Sequence, residues 1–175
     1  MAEQKSPKPK IEDIAMEHFK NEKEKSESIL DFIKFLRDNK LSPRRESSGR
    51  YKVHYKNDYI CYINFFIRWA NDASPTWSVD FNRKFVFANS YDRYITDDEL
   101  KKFILSIVTT PGCGGGERHN CGGRHYKFSL FGENYDKLCT CWPFQVKSPE
   151  GDTLEIMKKL ILESKLVIEK MINKV

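Results

Sequence analysis

Residues 51–67, YKVHYKNDYICYINFFI, carry the pattern that decides the fold. Every second residue from Tyr51 to Tyr55 is apolar or aromatic, which is typical of a strand with one buried face. The polar pair Asn57-Asp58 then indicates a turn, and the dense apolar and aromatic run over 59–67 indicates a returning strand. This stretch therefore predicts a β-hairpin.

The residues around this hairpin extend the pattern. On its N-terminal side, the polar residues 44–50, RRESSGR, predict a loop. On its C-terminal side, residues 76–81 and 85–87 predict two more strands, joined by a turn at 82–84. Strands that follow one another in this way favour one antiparallel sheet.

Helical periodicity precedes the strands. Apolar residues recur at helical spacing over 11–19 and again over 29–36, with a polar run over 20–28 between them. This spacing predicts either two helices or one long helix with a solvated middle, ending near residues 39–43. Residues 1–10 have no such period, and we expect them to form a disordered tail.

Further helices and a strand pair are predicted downstream. Thr96 and Glu99 form a capping-box pattern that opens a helix, and Pro111 ends it. The C-terminal segment then predicts a strand, a turn, a returning strand and a closing helix, over 124–131, 132–134, 135–146 and 152–173.

These elements define an α+β fold, with an antiparallel β-sheet covered by helices. It has an N-terminal helical segment, a C-terminal Cys-rich hairpin and a closing helix. At 175 residues the chain is long enough to bury a core. We therefore expect a single domain over 11–175, with a Cys-rich metal-binding subregion at 111–146.

The Cys-rich subregion is the strongest candidate for a functional site in the sequence. Glycines surround its first two cysteines and let the backbone turn tightly. Zn²⁺ takes four thiolate or imidazole ligands in a tetrahedron. The predicted zinc ligands are Cys113, Cys121, Cys139 and Cys141, and His119 or His125 could replace one of them.

Two other interpretations of these cysteines stay open. They could form disulfides, which suits an exported protein, or they could be thiols with no joint role. The chain shows neither a secretory signal nor a run of about 18 apolar residues that could span a bilayer, so we expect a cytoplasmic protein without a membrane partner. Cys61 lies among apolar strand residues, and we predict that it belongs to the core.

Two basic islands could contact an anion or a nucleic acid, although a solvated surface gives the same pattern. The net charge of +5 permits an anionic partner without requiring one. The first island lies in the Cys-rich subregion and the second beside the first hairpin. Their residues are Arg118, Arg124 and Lys127, and Arg44, Arg45 and Arg50.

Aromatic residues of the sheet offer a third kind of site. Trp69, Trp77 and Tyr62 could line a pocket for a small molecule, with Asp72 or Asp80 as its polar anchor. Plain core packing is the alternative interpretation of the same residues.

The sequence therefore favours a non-catalytic intracellular binding module with a structural zinc site, whose ligand is a small molecule or a protein partner. One alternative is a nucleic-acid-binding protein that uses the basic islands. The other is a thiol- or zinc-dependent enzyme with Cys121 or a metal-bound water as its reactive group.

Overall fold

A computed structural model describes residues 9–47, 49–65, 75–82, 90–108, 125–139 and 144–173 of the chain. Its helices are α1 (Ile11–His18), α2 (Lys23–Asp38), α3 (Ser90–Tyr94), α4 (Asp98–Ser106) and α5 (Gly151–Ile172). Its strands are β1 (Ser42–Ser47), β2 (Arg50–Tyr55), β3 (Asp58–Asn64), β4 (Ser78–Phe81), β5 (His125–Leu130), β6 (Glu133–Cys139) and β7 (Gln145–Lys147). The predicted strand over 85–87 and most of the predicted tail lie outside the described residues.

Five of the strands form an antiparallel sheet in the order β1-β2-β3-β4-β7. The N-terminal helices and the long helix α5 pack on this sheet. This arrangement confirms the α+β class that the sequence predicts. Strands β5 and β6 form a separate two-stranded sheet.

The hairpin at the start of the sheet agrees with the prediction. Strands β2 and β3 pair from Arg50 opposite Asn64 to Tyr55 opposite Asp58, with a bulge after Val53. The apolar alternation decided this outcome, because a shift of one residue would turn the apolar side chains to the other face.

The loop predicted over 44–50 is wrong, because residues Ser42–Ser47 form the edge strand β1. An edge strand pairs with one neighbour only, and nearly all of this one is exposed. Neither of its faces needs apolar residues, so the alternation on which the prediction relied is missing.

The single returning strand predicted over 135–146 is also wrong. Strand β6 ends at Cys139, whereas β7 crosses to the five-stranded sheet and pairs with β4. There Val79 lies opposite Val146. A pairing between segments so far apart in the chain leaves no local signal in the sequence.

The first of the two helical alternatives for the N-terminal segment is confirmed, since α1 and α2 are separate helices. Helix α2 ends in a Schellman motif, in which the amide of Lys40 donates to the carbonyl of Arg37 (2.9 Å) and that of Leu41 to the carbonyl of Leu36 (2.8 Å). Lys40 occupies the left-handed position of this motif, with a φ of 61°. Leu36 and Leu41 are both buried, which adds the apolar contact that often accompanies the motif.

Helix α4 begins one residue later than the capping-box prediction places it. The carboxylate of Asp97, and not the hydroxyl of Thr96, accepts the amide of Leu100 at 3.0 Å. Both residue types cap helices well, so the sequence alone could not separate two adjacent candidates.

The core lies between one face of the sheet and the helices. Trp77 is fully buried and its ring lies 5.7 Å from that of Phe32 on α2. Cys61 is also fully buried, which confirms its predicted place in the core. On the helical side, the buried hydroxyls of Tyr91 and Ser164 form a hydrogen bond of 3.0 Å, which ties α3 to α5.

Candidate binding face of the sheet

The face of the five-stranded sheet that lies opposite the core is polar, and we call it the polar face. The strand registers assign its members: Arg50 lies opposite Asn64, Tyr62 opposite Asp80, and Asp80 opposite Gln145. Because side chains alternate between the two faces of a strand, these residues point away from the core. The polar face has a buried end over β4 and an exposed end over β1 and β2.

At the buried end, Asp80 is the central group and is only 3% exposed. Its two carboxylate oxygens each accept a side-chain amide, from Asn64 at 2.6 Å and from Gln145 at 2.8 Å. The same amide of Asn64 lies 3.3 Å from the hydroxyl of Ser78, which is fully buried. Three strands thus converge on one carboxylate.

Burial raises the pKa of Asp80 from 3.8 to about 6, because the carboxylate loses its hydration. The amides of Gln145 and Asn64 and the nearby charge of Arg50 act in the opposite direction and keep the shift from being larger. Asp80 is therefore mostly ionised at neutral pH but takes up a proton under mildly acidic conditions. A buried carboxylate of this kind can anchor a group that donates hydrogen bonds.

At the exposed end, two cations converge on the carboxylate of Glu46. The ammonium of Lys52 lies 2.7 Å from one oxygen, and Nε of Arg50 lies 3.4 Å from the other. The hydrogen bond from Lys52 lowers the pKa of Glu46, and the same bond raises the pKa of Lys52. The cluster therefore keeps its charges at neutral pH.

Two tyrosine rings complete the exposed end. The ring centroids of Tyr59 and Tyr62 are 5.0 Å apart, and the guanidinium carbon of Arg50 lies 3.8 Å from the Tyr62 centroid. The ammonium of Lys52 lies 5.2 Å from both rings. A cation is attracted to the negative face of an aromatic ring, and these contacts hold the two cations and the two rings together.

The second predicted basic island is divided between the two faces of the sheet. Arg44 lies opposite Lys52, and therefore shares the polar face with Arg50. Arg45 lies opposite Tyr51, a core residue, and belongs to the other face. Two arginines that are adjacent in sequence cannot act on the same ligand from opposite faces of a strand.

The predicted pocket residues are also separated. Tyr62 lies on the polar face opposite Asp80, one of its two predicted polar anchors. Trp77 lies in the core, and Trp69 and Asp72 lie outside the described residues. The structure thus brings together Tyr62 and Asp80 but does not bring Trp77 to them.

Most of the predicted zinc ligands lie outside the described residues: Cys113, Cys121, Cys141 and His119. For the other two, the backbone is informative, because His125 and Cys139 are direct partners in the register of β5 and β6. No group of three or more His, Cys, Asp or Glu side chains with metal-binding geometry occurs among the described residues.

The first basic island is described only at Lys127, which is an exposed residue of β5. Arg118 and Arg124 lie outside the described part of the chain. Contact of this island with an anion remains a prediction.

Sequence reasoning missed the roles of Glu46, Asn64 and Gln145. Glu46 fell in the predicted loop, and the two amides meet Asp80 only after three strands are paired. One signal was available: Asn64 and Asp80 are polar residues inside otherwise apolar strands, and such residues need a partner when buried.

Comparison of the chain with protein-family models, with curated proteins and with solved structures finds no match. None of the helices in the described ranges combines the length and apolar character that crossing a bilayer requires. The function must therefore be argued from the chemistry of the site itself.

Proposed function

We propose that this chain is a non-catalytic binding module, and that the polar face of its sheet is the surface that binds a small molecule or a protein partner. The observation that carries the proposal is the buried carboxylate of Asp80 beside the exposed cluster of Glu46, Arg50 and Lys52. Burying a charge is costly. A face that is only in contact with water would not require one buried carboxylate with partners from neighbouring strands.

The arrangement supports binding more than catalysis. Asp80 is held by amides, which are donors but not proton carriers. The hydroxyl of Ser78, which also hydrogen-bonds Asp80, is fully buried, so no substrate reaches it. The exposed cluster of Glu46, Arg50 and Lys52 could hold the polar groups of a ligand.

The proposal is tested with a library of small polar fragments, followed by the amide chemical shifts of the whole chain. We expect the shifted amides to lie in β2, β3 and β4, and the shifts to be lost in Asp80→Ala or Lys52→Ala. Fragments that bind only elsewhere on the chain, with these strands unaffected, would contradict it. Glu17→Gln, on α1, is the matched control for a change of charge away from the polar face.

We propose in addition that the Cys-rich segment holds a structural Zn²⁺. The backbone register of β5 and β6 supports this, because it pairs His125, a possible substitute ligand, with Cys139, a predicted ligand. The four ligands would be Cys113, Cys121, Cys139 and Cys141, and His119 or His125 could replace one of them. A site filled by four protein ligands leaves no position for a reactive water, which favours a structural role.

Elemental analysis of the purified chain, with a thiol count on the same sample, tests the metal proposal. We expect about one zinc per chain, and a fall in stability when it is chelated, since structural zinc contributes to folding outright. A zinc-free protein in which all thiols react would contradict it. Cys121→Ser separates the enzyme alternative, which predicts loss of turnover in a chain that stays folded.

A further inference from the structure

The exposed end of the polar face has an excess of positive charge. Arg44, Arg50 and Lys52 lie on the same face of β1 and β2, and Glu46 is the carboxylate that Arg50 and Lys52 share. His54, on the same strand, adds little charge at neutral pH, because burial and then the charges of Arg44 and Lys52 lower its pKa. The surface therefore keeps a net positive charge after its internal ion pairs are counted.

The ion pairs at Glu46 are exposed enough to exchange. The side chains of Arg50, Lys52 and Glu46 are 33%, 24% and 36% exposed, so water reaches all three. Ion pairs in such a setting contribute little to stability. An anion that carries several negative charges along its length can therefore take over Arg50 and Lys52 at small cost.

Aromatic surface lies next to this charge. Tyr59 and Tyr62 are partly exposed on the polar face, with ring centroids 5.0 Å apart. The guanidinium carbon of Arg50 lies 3.8 Å from the centroid of the Tyr62 ring. Nucleobases stack on tyrosine rings and on guanidinium planes. Few anions other than nucleic acids would use both features at once.

We propose that the exposed end of the polar face binds single-stranded nucleic acid, with its phosphates on Arg44, Arg50 and Lys52 and a base stacked beside Tyr59 and Tyr62. The proposal rests on the binding function proposed above and names the class of ligand. Single strands fit and duplexes do not, because the bases of a duplex are stacked on one another and cannot reach the rings. Glu46 acts in this scheme as an internal competitor for the same two cations.

The competitor role gives the proposal a distinctive test. Binding of a fluorescent oligothymidylate to the full chain is measured by anisotropy at two salt concentrations. We expect Glu46→Gln to tighten binding several-fold, because it frees Arg50 and Lys52 for phosphate. Glu17→Gln removes the same charge from α1, on the other side of the sheet, and should leave the affinity nearly unchanged. Binding should weaken steeply with added salt.

A second pair of variants separates stacking from charge. Tyr62→Ala should weaken binding about tenfold, the usual effect of removing one stacking ring. Tyr62→Phe keeps the ring and should bind like the original chain. Both variants keep the cations, so a loss confined to Tyr62→Ala identifies base contact.

Each contrary result has a defined meaning. Polyglutamate that binds as tightly as the oligonucleotide would overturn the nucleic-acid assignment and leave a general anion surface. Failure of the oligonucleotide to bind, while fragments still shift the amides of β2 and β3, would overturn this inference alone. Failure of both would also overturn the proposed function.

Discussion

The two faces of the five-stranded sheet bury their side chains by different means. On the core face, Ile63 and Val79 lie opposite each other and are fully excluded from water by apolar packing. On the polar face of the same two strands, Asn64 and Asp80 are almost as well buried, but each is held by hydrogen bonds. Apolar burial stabilises by itself, whereas polar burial is tolerated only where every group finds a partner. The polar face therefore contributes less to the free energy of unfolding than the core face does, and it holds a defined set of charges and amides in place.

The largest expected effect comes from breaking the core face. Trp77→Ala removes a fully buried indole that packs on Phe32, and we expect the free energy of unfolding to fall by about 3–5 kcal/mol. Tyr62→Ala, on the polar face, should cost about 1 kcal/mol or less, since it removes a partly exposed ring and its cation contacts. Urea unfolding of both variants measures the contrast, and equal losses would show that the faces do not differ as described.

The next effect concerns pH and the buried carboxylate. The pKa of Asp80 is raised from 3.8 to about 6, so the folded state holds this proton more tightly than the unfolded state. Between these values the folded state binds more protons, and the stability due to Asp80 falls as pH rises. That contribution is greatest below about pH 4 and is lost above about pH 6, a difference of about 3 kcal/mol.

The measurement compares urea unfolding of the original chain and Asp80→Asn across this pH range. The difference in stability between the two proteins should fall by about 3 kcal/mol between about pH 4 and pH 7. Asp98→Asn is the control with the opposite sign, because the hydrogen bond from Lys101 lowers the pKa of the exposed Asp98. If the difference in free energy of unfolding between the original chain and Asp80→Asn stays constant with pH, burial does not raise the pKa of Asp80.

The smallest expected change in the free energy of unfolding concerns a residue that belongs to neither face of the sheet. Lys40 follows the last residue of α2 by two positions and lies in the left-handed region, where only glycine has no steric cost. Lys40→Gly should therefore raise the free energy of unfolding by about 1 kcal/mol. Lys34→Gly makes the same substitution in the exposed interior of α2, and should lower it by about the same amount. Two changes of the same sign would reject this explanation.

Patterns that are local in the chain could be predicted from the sequence, and pairings between distant segments could not. The hairpin β2–β3 and the helices α1, α2 and α5 follow from periodicity within each segment. Strand β1 lacks that periodicity because it is an exposed edge, and β7 has only three residues and pairs with a strand more than sixty positions away.

The candidate site was predictable only in part, for the same reason. Asp80 and Tyr62 were among the candidates because their residue types suggest a polar anchor and an aromatic wall. Their association with Asn64 and Gln145 depends on the order β3-β4-β7, which no single segment encodes. Glu46 was missed because its charge is informative only once β1 is known to pair with β2, which brings Lys52 to its carboxylate.

The reactivity of the Cys61 thiol can be used to measure how often the sheet opens. Complete burial raises the pKa of this thiol well above its ordinary value, so both access and ionisation protect it from alkylating reagents while β3 is paired. Its rate of alkylation in the native protein therefore reports the frequency with which the strands at the centre of the sheet separate. Any ligand that binds the polar face should lower the rate at which Cys61 is alkylated, because a molecule held across β2, β3 and β4 must dissociate before those strands can separate.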